Sequence, residues 1–180
     1  MAEPTETEVK LRVADLDGTR QLLTRLGARL IRDRHFEDNL LFDDDAGSLA
    51  GAGAVLRLRR TPHHSVLTYK GPKRVQGGIK VREERETLVE EPDALHAILT
   101  TLGYRPVFRY QKHRETWSHR GQEIVLDETP IGPFLEIEGD PDGIRAVTAD
   151  LGLDSSDYMV DSYVDLFFAQ GGEGDMVFER

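Results

Sequence analysis

The chain has no cysteine in 180 residues, so disulfides, thiolate zinc sites and cysteine nucleophiles are excluded. It has no apolar run approaching the ~20 residues that cross a bilayer as a helix. Its first ten residues are acidic, not basic and then apolar as in a secretion signal. No membrane association and a cytoplasmic location are therefore expected. Basic residues are outnumbered, 23 against 33, for a formal net charge of −10. A general nucleic-acid binder needs a dominant basic face, so nucleic acid is not expected as a partner. The phosphate-loop pattern G-x-x-x-x-G-K-[ST] is missing too, although "GPKRVQGGIK" resembles it superficially.

What is present describes a soluble globular protein carrying more charge than usual, 38% hydrophobic and 31% charged. The length fits one domain, able to remove roughly 70% of the unfolded chain's surface from water. Three segments carry apolar residues three and four apart and close on a glycine: Leu16, Leu22, Leu23 and Leu26 before Gly27; Leu95, Ile98, Leu99 and Leu102 before Gly103; Ile144, Val147 and Leu151 before Gly152. Each is predicted to be a helix with one apolar stripe. "LTRLG" and "LTTLG" read as one element used twice. Strands are expected over 5–13, 35–43, 54–60, 66–71, 79–89, 107–117, 122–127, 134–138 and 161–168, separated by Gly, Pro, Asp and His. Runs of strands between single helices predict an α+β fold on an antiparallel sheet. Residues 1–170 are expected to form the single domain and 171–180, glycine-rich and acidic, a loose tail.

The chemistry lies in the alternation. In "TETEVKLRV", Glu6, Glu8, Lys10 and Arg12 share one strand face and Thr7, Val9, Leu11 and Val13 the other. The pattern recurs with Arg57 and Arg59, with Lys70, with Arg82, Glu84 and Glu86, with Lys112 and Arg114, with Asp127, and with Glu136 and Glu138. Solvated strands carry Thr, Ser and scattered Lys, not mixed-sign pairs on strand after strand. The helical stripes need an apolar sheet surface to cover, so the helices pack outside and the charged faces turn inward around a water-filled interior. Burying so many charges in a dry core would be prohibitive. They are tolerable around one charged ligand. Carboxylates suit hard divalent cations, and Arg and Lys suit phosphate oxygens. A metal-bound polyphosphate needs both.

The residues "ETEVK", "LRLR", "LTYKGP", "REERE", "KHR", "VLDE" and "FLEIEG" occur in this order between Thr5 and Phe168. Together they resemble the CYTH superfamily, the triphosphate tunnel metalloenzymes. "LTYKGP" and "PIGPFLEIEG" are most similar to its class IV adenylyl cyclase group. The resemblance implies a closed antiparallel β-barrel of about eight strands with helices outside. It implies a metal site of Glu6, Glu8, Glu136 and Glu138 with Asp127 and one or both of Glu84 and Glu86 close by, and Mg²⁺ or Mn²⁺ as the ion. It also implies phosphate contacts from Lys10, Arg57, Arg59, Lys70, Lys112 and Arg114, with Arg82 as a further member. The substrate implied is a small-molecule triphosphate and the assembly a homodimer. Two activities are implied: an adenylyl cyclase converting ATP to cyclic AMP and pyrophosphate, or a hydrolase of inorganic tripolyphosphate or thiamine triphosphate. A third reading from a different class is a non-catalytic nucleotide or polyphosphate binder. The family's further basic residue on the last strand has no counterpart in "DSYVDLFF", where Tyr163 occupies a familiar tyrosine position.

Overall fold

Each of the three glycine-closed stripes is a helix in the structure, a computed structural model that describes residues 5–179. The first four residues, part of the acidic start, and Arg180, the last of the expected tail, lie outside them. The order is β1 (Thr5–Arg12), α1 (Leu16–Arg25), β2 (Arg29–Asp43), α2 (Ser48–Gly51), β3 (Val55–Arg60), β4 (Ser65–Lys70), β5 (Arg74–Gln76), β6 (Ile79–Val89), α3 (Pro92–Thr101), β7 (Arg105–His119), β8 (Gln122–Thr129), β9 (Gly132–Glu138), α4 (Pro141–Asp150) and α5 (Tyr163–Ala169). Asp140 caps α4, accepting from the Gly143 amide at 2.8 Å. No helix among the described residues is long and apolar enough to cross a membrane.

One antiparallel sheet runs β1-β9-β8-β7-β2-β3-β4-β6-β5, and β1 also pairs with β6. The repeated "LTRLG" and "LTTLG" close α1 and α3, which link β1 to β2 and β6 to β7. Because β1 pairs with β6 and β2 with β7, the two units face each other across the sheet.

The expected closed barrel of about eight strands is corrected by this topology. The described residues form nine strands: eight are hydrogen-bonded in a ring, and among them β5 pairs with β6 alone. The seam between β1 and β6 consists of four residue pairs, 5–8 against 80–83. From Glu84 onward β6 pairs with β4, and among the described residues its other edge has no strand partner. The sheet is an α+β ring-bonded sheet and not a closed barrel. Its strands exchange partners part-way along their length, so pairing does not enclose the interior at every level.

The segment 161–168 is a second correction, since it forms α5 and not a strand. Tyr163, Leu166 and Phe167 satisfy a helical spacing as well as an apolar run, and the cap decides between them. Ser162 Oγ accepts from the Asp165 amide at 3.1 Å, and the Asp165 carboxylate accepts from the Ser162 amide at 2.9 Å.

The sheet is inverted as the alternation requires. Its outer face carries Val9, Leu11, Ile124, Leu126, Leu135 and Ile137, packed on Leu23 of α1 and on Ile144 and Val147 of α4. Each is at most 1% exposed, so each contributes roughly 1.5–3 kcal/mol of burial. On the other side Leu99 of α3 covers Phe42 and Leu58. The inner face is apolar only at one end. There Phe108, Tyr110 and Phe134 pack on Tyr163 and Leu166 of α5 and on Met176. The Met176 carbonyl accepts from the Gln111 amide at 2.9 Å, which lays this stretch of chain along β7.

Candidate functional site

The remaining inner face lines a cavity of about 560 Å³, within the usual size range of small-molecule sites. Thirteen of the fourteen residues expected at the site border it, and Asp127 lies just behind its wall. Strand parity places them there. β1 presents Glu6, Glu8 and Lys10 inward while Val9 and Leu11 face the helices; β9 does the same with Glu136 and Glu138 against Leu135 and Ile137.

The basic wall is built on β3 and β7. Asp127, fully buried, accepts from Lys112 Nζ at 2.9 Å, from Arg114 Nε at 2.8 Å and Nη2 at 2.6 Å, and from the Tyr163 hydroxyl at 2.7 Å. Its oxygens therefore hold cations in place. Arg57 donates to the Tyr110 hydroxyl at 3.3 Å and to Thr68 at 3.2 Å. Arg59 is held only loosely, 3.4 Å from Glu86, and burial together with Arg57 and Arg114 lowers its pKa. Lys10 sits 3.2 Å from Glu136, which also accepts from Arg114 at 2.5 Å. Arg82 borders the cavity, but its guanidinium donates twice to the Gly71 carbonyl, tying β6 to the connection after β4.

The acidic side is built on β1, β6, β8 and β9. Glu138 stands opposite Glu8 on one neighbour and Glu123 on the other, so three carboxylates occupy one level of adjacent strands. Burial, then Glu6 and Glu8, push the Glu138 carboxyl up to about 8. Burial raises Glu84 to about 7; Lys70, 2.8 Å away, opposes that rise, and Glu6 adds to it. Glu6 goes the other way, to about 2, because Lys70 at 2.7 Å and Lys80 outweigh its burial. Glu8 is paired with Lys80. Among the described residues, no three acidic or histidine side chains are grouped closely enough to hold a metal ion. The donor chemistry nonetheless fits one: oxygen ligands in mutual repulsion, with Glu6 Oε2 buried and unbonded.

Several cavity residues were not anticipated. Lys80 continues the period-two series Arg82, Glu84 and Glu86 and was visible in "IKVREERE". Tyr110 shares the inward parity of Lys112 and meets Arg57. Glu123 lines the cavity from β8. Glu37 borders an adjoining cavity of about 370 Å³, which shares Arg59, Glu86, Arg114 and Glu123 with the first.

The sequence pattern of the CYTH domain matches residues 4–163. The chain belongs to the CYTH family, the triphosphate tunnel metalloenzymes. A Methanocaldococcus jannaschii protein provisionally named an adenylate cyclase, MJ0240, is 29% identical over 134 residues, covering 74% of this chain and 75% of that one. Among solved structures, a Vibrio parahaemolyticus protein superposes with a TM-score of 0.81 at 20% identity, over 92% of this chain and 99% of that one. PH1819 from Pyrococcus horikoshii gives 0.75 at 25% identity, over 92% and 99%. HpAC1 from Hippeastrum gives 0.68 at 21% identity, over 93% and 97%. Glu6, Glu8 and Lys10, within the matched stretch, lie where this ring turns its charges inward.

Proposed function

We propose that this CYTH protein is a divalent-metal-dependent enzyme that binds a triphosphate in the ring and catalyses displacement at phosphorus. The first reading is a class IV-type adenylyl cyclase, converting ATP to cyclic AMP and pyrophosphate. The observation that supports it is the convergence of both signs of charge on one cavity: Arg57, Arg59, Lys112 and Arg114 from β3 and β7, and Glu6, Glu8, Glu84 and Glu138 from β1, β6 and β9, with Lys70 and Lys80 paired to the acids and Glu86 and Glu136 to the arginines.

In this reading the two arginines of β3 and the Lys112–Arg114 pair grip phosphate oxygens, with Asp127 fixing the latter pair in advance of binding. Lys10 and Lys70 reach in from β1 and β4. Glu6, Glu8 and Glu138 would hold Mg²⁺ or Mn²⁺, with Glu136 between the two sets. The bound ion supplies charge neutralisation on the phosphates and polarisation of the reacting centre. Positioning does most of the remaining work, since phosphoryl chemistry asks little covalent participation of the protein. In this reading Glu84, which lines the cavity 2.8 Å from Lys70, accepts the proton of the attacking oxygen. The name of MJ0240 supports ATP as the substrate.

A second reading keeps the same site and makes water the nucleophile, giving a tripolyphosphatase or thiamine triphosphatase. It is supported by HpAC1, a protein of the same fold whose structure is described as revealing a dominant triphosphatase activity. The deciding assay incubates purified protein separately with ATP, tripolyphosphate and thiamine triphosphate plus Mg²⁺ or Mn²⁺. Cyclic AMP without orthophosphate supports the cyclase; fast orthophosphate release without cyclic AMP supports the hydrolase. Binding with no product from any of the three refutes both and leaves a binding module.

A further inference from the structure

Glu37 of β2 is 1% exposed and has no part in the chemistry described above. It stands opposite Lys112 in the β2–β7 register. Its carboxylate lies 3.7 Å from Lys112 Nζ and 3.6 Å from Arg59 Nη1, both too long for good hydrogen bonds. Oε2 is buried with no hydrogen bond, and His35 Nε2 is 3.4 Å from Oε1. Burial opposes ionisation, yet Lys112, His35, Arg114 and Arg59 hold the group well below the usual carboxylate range. Glu37 is therefore a permanent anion inside the basic wall. It differs from Asp127, whose short bonds orient Lys112 and Arg114. Glu37 supplies charge without directing the cations it faces.

A polyphosphate that reaches Arg59 and Lys112 brings a further anion to cations that already face carboxylates, Glu37 and Glu86 for Arg59 and Glu37 and Asp127 for Lys112. We propose that Glu37 is an affinity-setting counter-anion: it balances Arg59 and Lys112 when no polyanion is bound and repels the polyanion when one is, which speeds product release. The proposal rests on the triphosphate reading given above. It commits to a sign, because a residue that merely oriented Arg59 and Lys112 would weaken binding when neutralised.

The test is calorimetric titration of wild type, Glu37→Gln and Glu37→Asp with inorganic tripolyphosphate and with pyrophosphate at fixed Mg²⁺. Glu37→Gln should bind both more tightly, on the order of thirtyfold, the effect of removing one unit charge about 8 Å from a unit charge of the ligand at an effective dielectric near 20. Glu37→Asp withdraws the charge by one methylene and should show a smaller tightening of the same sign; it carries the test if the Gln variant does not fold. Unchanged or weaker binding in a folded variant overturns the role of Glu37 while leaving the triphosphate reading intact. Failure of the wild type to bind either ligand overturns the triphosphate reading itself, and the role of Glu37 with it.

Discussion

Replacing Asp127 by Asn tests whether the basic wall is held from behind. Asp127 is fully buried and accepts four hydrogen bonds, from Lys112, twice from Arg114, and from Tyr163. The amide keeps one acceptor oxygen and turns an NH₂ group toward two cations. Of carboxylate partners among the described residues, Lys112 then retains Glu37 at 3.7 Å and Arg114 retains Glu136 at 2.5 Å. Breaking a buried ion pair by removing one partner costs about 3–5 kcal/mol, because the surviving charge stays desolvated. The remaining carboxylates compensate in part, so the lower half of that range is expected. For a chain of this size each kcal/mol moves the melting temperature by about 2–4 °C, which gives a fall of roughly 6–16 °C. Urea unfolding followed by circular dichroism, with calorimetry for Tm, reads both quantities. A loss below about 1 kcal/mol, the scale of an exposed ion pair, would refute the argument that Asp127 organises the wall.

Other expectations follow from the same geometry. Glu138 keeps its proton in the folded state up to about pH 8, whereas the unfolded chain releases it near the ordinary value of 4.5. The folded state therefore binds more protons across that window, and the contribution of Glu138 to stability falls as pH rises through it. With divalent ions chelated, Glu138→Gln should melt above wild type at pH 8–9, by a margin that closes toward pH 4.5; a margin independent of pH would contradict the assignment. Arg59→Ala should weaken tripolyphosphate binding with little effect on Tm, because Arg59 is held only loosely; unchanged tripolyphosphate affinity would rule out a phosphate role. Leu23→Ala, in the outer core, should cost about 2–5 kcal/mol and leave kcat unchanged below its lowered Tm. A lowered kcat in the folded variant would mean that the outer core shapes the site.

The inverted sheet was legible because two periodicities agreed: charged residues every second position on the strands, and apolar residues three and four apart on α1, α3 and α4. Where a pattern was ambiguous the reading failed. "YVDLFF" fits either strand or helix, and its Ser162–Asp165 capping box was the local signal that settles it. Residues 29–34 of β2 escaped notice because register shifts between Leu30 and Arg32, and again between Arg32 and His35, interrupt the alternation. The closed barrel failed for a different reason. Partner exchange along β6 depends on which strands meet, and no single strand encodes that. Glu37 is invisible as a site residue in sequence for the same reason, since its significance comes from Lys112 and Arg59 on other strands.

The central claim is that the inward charges form one binding site with a phosphate side and a metal side. A crystal structure of the protein soaked with tripolyphosphate and Mn²⁺ tests it most directly. An anomalous manganese peak is expected beside Glu6, Glu8 and Glu138, with phosphate oxygens on Arg57, Arg59, Lys112 and Arg114. Phosphate and metal bound only on the outer surface, with the Lys–Glu pairs of the cavity unbroken, would contradict it.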